Sequence, residues 1–280
     1  TKVYARTIVK KGVPLLEIAE KIESKIVELG GKPAFPVNLS IDNIAAHYTP
    51  SHDDKTLAHG LLKVDLGVHI GGFVADTAFS LDLENNEENK KLIKASEEAL
   101  EKALSLVKSK SVEARLSEVG KVIQNTIESH GFSPVTNLSG HSIEKYNLHA
   151  GDTVPNIDNN GASKFKEGIY AIEPFTTNGN GKVHDGVRSG IYELVEERNT
   201  RSPIAREVLT FVQKEYETLP FCSRWIVKAL GTKALFGLRE LESNGIIHQF
   251  TQLVEAQNTK VSQSEQTVLI EKGKVTVTSL

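Results

Sequence analysis

A mixed fold, α+β or α/β, is predicted for this chain by three observations. Segments with helical periodicity interleave with segments whose hydrophobicity alternates at every second residue. No glycine-rich nucleotide signature follows any of the strand-like segments, and no short-period repeat runs through the sequence. No low-complexity linker marks a boundary, so the 280 residues read as one domain, 1–280.

The elements follow in chain order. Pro14 to Leu29 reads as an amphipathic helix with Leu15, Ile18, Ile22, Ile26 and Leu29 on one face and Gly30-Gly31 as its stop. "AFPVNLS" and "IAAHYTP" continue as an extended segment. Between Lys63 and Ser80, "KVDLGVHIGGFVADTAFS", Val64, Leu66, Val68 and Ile70 alternate with Asp65, Gly67 and His69. After Gly71-Gly72, suited to a two-residue turn, Phe73, Ala75, Thr77 and Phe79 alternate with Val74, Asp76 and Ala78. A long helix is expected from Asn86 to Ser109 and a second from about Ser117 to His130, ended by Gly131. Then come a histidine-bearing loop and strand, the strand "GIYAIEPF", and a helical segment from about Ile204 to Gly245. The hairpin "SEQTVLIEKGKVTVTS" closes the chain.

The hairpin raises a question of charge. Its turn sets Gly67 opposite Asp76, with Asp65 diagonal to Asp76 on the same side. Diagonal Cβ atoms lie roughly 7–8 Å apart or less, so two carboxylates converge above a residue with no side chain. A single aspartate would be read as a turn residue or an edge charge. Two mid-strand on one face call for something positive between them, and a bound cation is the simplest candidate. Further ligands are available. Glu173 is a lone acid on an apolar strand, where an unpaired carboxylate is costly. Glu265 heads the last strand, His141 follows a glycine in "NLSGHSI", and His149 stands eight residues later. Two aspartates, two glutamates and a histidine form a mixed oxygen and nitrogen set suited to two divalent ions sharing bridging carboxylates. Structural zinc would want cysteines, and HExxH is absent.

Composition narrows the field. With 39% hydrophobic and 25% charged residues the chain is an ordinary globular one, and a net charge of −3 argues for neither nucleic acid nor an anionic membrane as partner. No apolar run is long enough to span a bilayer, and "TKVYARTIVKKG" lacks a signal-peptide core. One cysteine, Cys222, excludes a disulfide framework and fits a reducing compartment, so a cytoplasmic location is expected. There is no methionine at all, where ordinary usage gives several; this points to methionines missing from within the sequence, which an intact mass would test.

Together "AFPVNLS…AAHYTP…KVDLGVHIGGFVADTA…NLSGHSIEKYNLHAG…YAIEPF…SQSEQTVLIEK" resembles the methionine aminopeptidases of type 2, in the archaeal style, over essentially the whole chain. The order of the five ligand motifs, with Asp65 and Asp76 eleven positions apart, makes the resemblance specific. It implies the α+β, pseudo-twofold pita-bread fold, with a helical type 2 insertion at 201–250. It implies removal of the initiator methionine from nascent proteins whose second residue is small. The partner would be the N-terminal peptide, met at the ribosome, and the enzyme a monomer.

By position, the resemblance has Asp65 chelate one metal, Asp76 bridge both, His141 and Glu173 bind the second, and Glu265 bridge from the far side. The ions would be two of Co, Mn, Fe or Zn. His47 and His149 would contact substrate beside the scissile bond. Phe35 and Phe175 would line the methionine pocket and His184 would close it. Gln266 departs from the family's usual histidine, which touches the support of Glu265 and leaves the ligand intact. "AHGLLKVD" reads a residue or two short of the family's turn, and the N-terminus reads as starting within the family's first helix.

The chemistry expected is hydrolysis, with Glu173 taking a proton from water and His47 and His149 stabilising the oxyanion and leaving nitrogen. Two alternatives stand beside it: a proline-specific dipeptidase of the same fold, and a non-catalytic binding homologue that has lost its ligands. His52, His59, His130 and His248 read as surface, and His69, which shares a face with Asp65, as either structural or near the site.

Overall fold

Strand Leu61–Ile70 pairs antiparallel with Phe73–Asp82 in the register the alternation dictates, with Gly67 opposite Asp76 and Asp65 opposite Ala78. The computed structural model in which this is seen describes residues 1–196 and 198–279. Gly71 and Gly72 both take positive φ, 56° and 89°, the two-residue turn whose twist matches the strands. The first strand also pairs with Asn38–Ile41, which sets Asn38 opposite Asp65, and with the short edge Lys32–Pro33.

One face of this sheet is covered by helix Leu15–Glu28. Leu15, Ile18, Ile22 and Ile26 pack on Val37, Leu39, Leu62, Val64, Leu66 and Phe79. Each such side chain contributes ~1.5–3 kcal/mol on burial, which fixes the register firmly. Because Leu62, Val64 and Leu66 are committed to that core, Lys63, Asp65 and Gly67 must turn to the other face. A short helix, Lys2–Ile8, precedes this unit.

The second half repeats the plan. Helix Glu87–Lys110, capped by the Asn86 side chain on the amides of Glu88 and Asn89, lies beside helix Leu116–Ser129. Both cover a five-stranded antiparallel sheet ordered Lys274–Val277, Gln266–Glu271, Gly168–Ile172, Ser139–Ile143, Thr153–Pro155. Val107, Val119, Ile123 and Ile127 pack there against Tyr170, Ile172, Val268 and Ile270.

Two elements depart from the sequence reading. "GIYAIEPF" is not one strand: Gly168–Ile172 belongs to the five-stranded sheet, while Phe175–Thr177 pairs with Val261–Gln263 in another. Pro174 lacks an amide and restricts Glu173, so the ladder breaks there. The helical segment is three helices, Pro203–Glu215, Ser223–Leu230 and Ala234–Ser243, around a core of Val208, Leu209, Val212, Phe221, Ile226 and Leu238. It stops at Gly245, whose φ is 68°, and Ile247–Val254 is strand, not helix. That strand sits between His184–Leu194 and Ile44–Ala46. Among the described residues, no helix is long and apolar enough to cross a membrane.

Candidate metal centre and active site

The register on either side of the Pro174 break is continuous, Ile172 facing Gln266 and Phe175 facing Gln263. Glu173 and Glu265 therefore stand opposite each other where the ladder is interrupted, spanned by the Ser264 amide on the Pro174 carbonyl at 3.2 Å. The Asp hairpin is zipped onto this seam by single bonds. The Glu265 amide donates to the Ala78 carbonyl at 3.0 Å, and the Thr77 hydroxyl to the Glu265 carbonyl at 2.9 Å. Thr267 Oγ1 accepts from the Asp76 amide and donates to the Asp76 carbonyl, both at 2.8 Å. Asp76 is thereby carried to Glu265.

His141 completes the group from the neighbouring strand. Its Nε2 lies 3.9 Å from Asp76 Oδ2 and 3.7 Å from Glu173 Oε1. Ligand atoms of Asp76, His141 and Glu265 lie within 4.8 Å of one another. Asp65 is tied in by Gln263, whose Nε2 donates to Asp65 Oδ2 at 3.2 Å and Glu173 Oε2 at 3.4 Å. Asp65 Oδ1, Asp76 Oδ1 and Glu265 Oε2 are buried with no hydrogen-bond partner. Enclosed carboxylate oxygens left without donors are what a divalent cation would satisfy, so the donor set fits one.

The electrostatics agree. Burial pushes the Asp65 carboxyl up to about 7. Burial first, then the neighbouring acids, hold Asp76, Glu173 and Glu265 well above the ordinary carboxylate range. The histidines go the other way, each chiefly through burial: His141 falls to about 3, His149 to about 4, and His47 below its usual value. All three rings are neutral near pH 7, and His141 and His149 meet edge to face with centroids 4.4 Å apart.

A cavity of about 340 Å³ opens over this group, and Phe35, His47, Asp65, Asp76, His141, His149, Glu173, Phe175 and Glu265 all line it. His184 does not. It is exposed at the start of its strand, paired with Val254, and stands outside the cavity lining. The space over Gly67 is not open either: a Cβ there would stand 2.3 Å from Phe35 Cε1, so the absent side chain makes room for the Phe35 ring. His69 accepts the Gly72 amide at 3.2 Å within the hairpin, a structural role.

His47 has one neutral tautomer favoured by its surroundings. Its Nδ1 is 3.1 Å from the Thr251 carbonyl, which can only accept, so Nδ1 carries the proton and Nε2 a lone pair. Such a ring accepts from a substrate N–H and cannot donate to an oxyanion through Nε2. Residues that the sequence alone does not single out also reach the acid cluster or the cavity. Gln263 is detectable in principle, two positions before Glu265 and so on the same strand face. Phe250 and Leu253 line the wall from strand Ile247–Val254, just past the helical segment.

Two antiparallel sheets, each under its own helices, with acids and a histidine converging between them, define a metal-dependent hydrolase of the pita-bread fold. Residues 1–214 match the model of metallopeptidase family M24. A methionine aminopeptidase of Pyrococcus horikoshii is 46% identical over 280 aligned residues, covering 97% of this chain and 92% of the relative. The chain belongs to the methionine aminopeptidases of family M24. Solved structures agree on the fold alone. A thermophilic Arx1 gives a TM-score of 0.80 at 16% identity, covering 98% of this chain and 86% of that one. A methionine aminopeptidase from Thermotoga maritima gives 0.66 at 20%, covering 98% and 88%.

Proposed function

We propose that this enzyme removes the N-terminal methionine from nascent proteins with a small second residue. In this reading it works as a type 2 methionine aminopeptidase on two divalent ions, drawn from Co, Mn, Fe or Zn. The carrying observation is the convergence of Asp65, Asp76, His141, Glu173 and Glu265 at the floor of a cavity walled by Phe35, Phe175 and Phe250. Asp65, Asp76, His141, Glu173 and Glu265 would hold the ions, which when bound supply Lewis acidity toward the scissile carbonyl and toward water.

The chain's own groups do the rest. Glu173, at the floor of the cavity, would take a proton from water and pass it to the leaving amine. His47 Nε2 accepts from the peptide N–H and orients it. Neutral His149, edge to face with His141, offers a further polar contact beside it. An unbranched thioether is suited to the Phe walls through apolar and sulfur–aromatic contact, and the enclosed cavity restricts reaction to the first residue. A helical type 2 insertion around Pro203–Ser243 supplies one side of the structure. A monomer acting in the cytoplasm, where nascent chains emerge from the ribosome, completes the proposal.

A panel of Met-X and X-Ala peptides with each metal tests it. Met-Ala, Met-Gly and Met-Ser should be cleaved, with norleucine tolerated in place of methionine and Lys-Ala refused. Equal cleavage of Leu-Ala, Lys-Ala and Met-Ala, or preference for X-Pro, would overturn it.

A further inference from the structure

His47 has a φ of 64°, in the left-handed region that residues with a side chain adopt uncommonly and hold through their surroundings. What holds it is traceable. On its C-terminal side, the Tyr48 carbonyl accepts from the Leu39 amide at 2.7 Å, and Thr49 Oγ1 donates to the Val37 carbonyl at 2.9 Å. The last anchor comes from far away in sequence. Arg224, on helix Ser223–Leu230, donates through Nε to the Pro50 carbonyl at 3.0 Å and through Nη2 to Thr49 Oγ1 at 3.4 Å.

The Arg224 guanidinium is in turn held by a buried fork. Nη1 and Nη2 donate to Glu23 Oε2 and Oε1 at 2.7 and 2.8 Å, with side-chain exposures of 3% and 11% for Arg224 and Glu23. Trp225 Nε1 adds 2.9 Å to Glu23 Oε2, and the Val37 amide 3.3 Å to Oε1. As a device for stability alone, a buried ion pair is poor, since apolar side chains of like volume do as well. Its distinctive product is direction: four guanidinium hydrogen bonds aimed at fixed acceptors.

We infer that the Glu23–Arg224 pair is a positioning device for His47, by which the helical segment reaches across to helix Leu15–Glu28 and sets the conformation of the His47–Pro50 turn. The pair touches neither substrate nor the acid cluster, and acts only through His47. The activity arm of its test rests on the aminopeptidase reading; the spectroscopic arm does not.

The test removes both charges at once, Glu23→Leu with Arg224→Met, so that neither is stranded, alongside Arg224→Lys, which keeps the charge and loses the fork. Melting temperature, kcat and KM on Met-Ala-Ser, and imidazole 15N NMR of His47 are read on each. The expected double variant melts near the wild type and keeps KM. It loses kcat by about 10–100-fold, the cost of a misplaced reacting group, and no longer shows a single Nδ1-protonated tautomer at His47. Arg224→Lys should fail to rescue. Wild-type kcat with an unchanged His47 spectrum overturns the inference, whatever the melting temperature. If the double variant does not fold, Arg224→Lys is read in the same way: a lowered kcat with a mixed His47 tautomer supports the inference, and wild-type behaviour in both overturns it. A wild-type enzyme inactive on methionyl peptides would refute the proposed function and leave the His47 spectrum to decide this point.

Discussion

Replacing Asp65 by asparagine should stabilise the metal-free protein and destroy its activity. Burial raises the Asp65 carboxyl from 3.8 to about 7, so folding makes its charged form roughly a thousandfold harder to reach. At about 1.4 kcal/mol per factor of ten the ceiling is ~4 kcal/mol, and its cavity-facing position reduces the expected gain to about 1–3 kcal/mol. The sign follows from proton uptake. Below about pH 4 the carboxyl is protonated in both states and costs nothing; as pH rises the unfolded chain ionises first, and the penalty is complete above about pH 7. Asparagine preserves the shape and can still accept from Gln263 Nε2, which lies 3.2 Å from Asp65 Oδ2. Urea denaturation of chelator-treated wild type and Asp65→Asn at low and at mildly alkaline pH measures the difference. A variant less stable than wild type at alkaline pH would refute the account of a strained acid cluster. Near-wild-type turnover with metal supplied would refute Asp65 as a ligand.

The metal-free wild type should lose stability as pH climbs above about 6.5, where the lowered His47, His141 and His149 no longer offset the raised carboxyls; a divalent ion should flatten this slope, as thermal melts over a pH series would reveal. His47→Ala should reduce kcat by about 10²-fold with little change in metal content, checked by kinetics and metal analysis; unchanged kcat would remove His47 from the chemistry. Gly67→Ala, whose new methyl would meet Phe35 Cε1 at 2.3 Å, should raise KM for methionyl peptides more than it lowers kcat. Equal effects on both would show that Phe35 does not form the methionine pocket.

Legibility in the sequence follows chain distance. The Asp hairpin can be drawn residue by residue, because alternation and a Gly-Gly turn determine pairing within eighteen residues. Helices Leu15–Glu28 and Glu87–Lys110 are equally plain from their apolar faces. The break at Glu173-Pro174 is written in the proline but needs the partner strand Val261–Gln263 to give it meaning. Ile247–Val254 has no signature as a strand in the sequence, since its apolar residues Ile247, Phe250 and Leu253 recur at every third position rather than every second. A closing role for His184 rests on its motif alone, and the side chain stands exposed, outside the cavity lining. Gln263 escapes a search for ligands because amides carry no charge to attract notice.

The hydrophobic core under helix Leu15–Glu28 and the one under helices Glu87–Lys110 and Leu116–Ser129 have none of the proposed ligands in common. Asp65 and Asp76 are anchored in the first core's sheet, while His141, Glu173 and Glu265 are anchored on the second side. A cation held among them, as proposed, would work as a rivet between two plates that are also stitched by Thr77, Ser80, Gln263, Thr267 and a few backbone bonds. Whatever tightens that stitching raises the affinity for the ion, and whatever ion binds tightens the stitching by an equal free energy. Cofactor loading and the joining of the halves are one equilibrium observed from two sides.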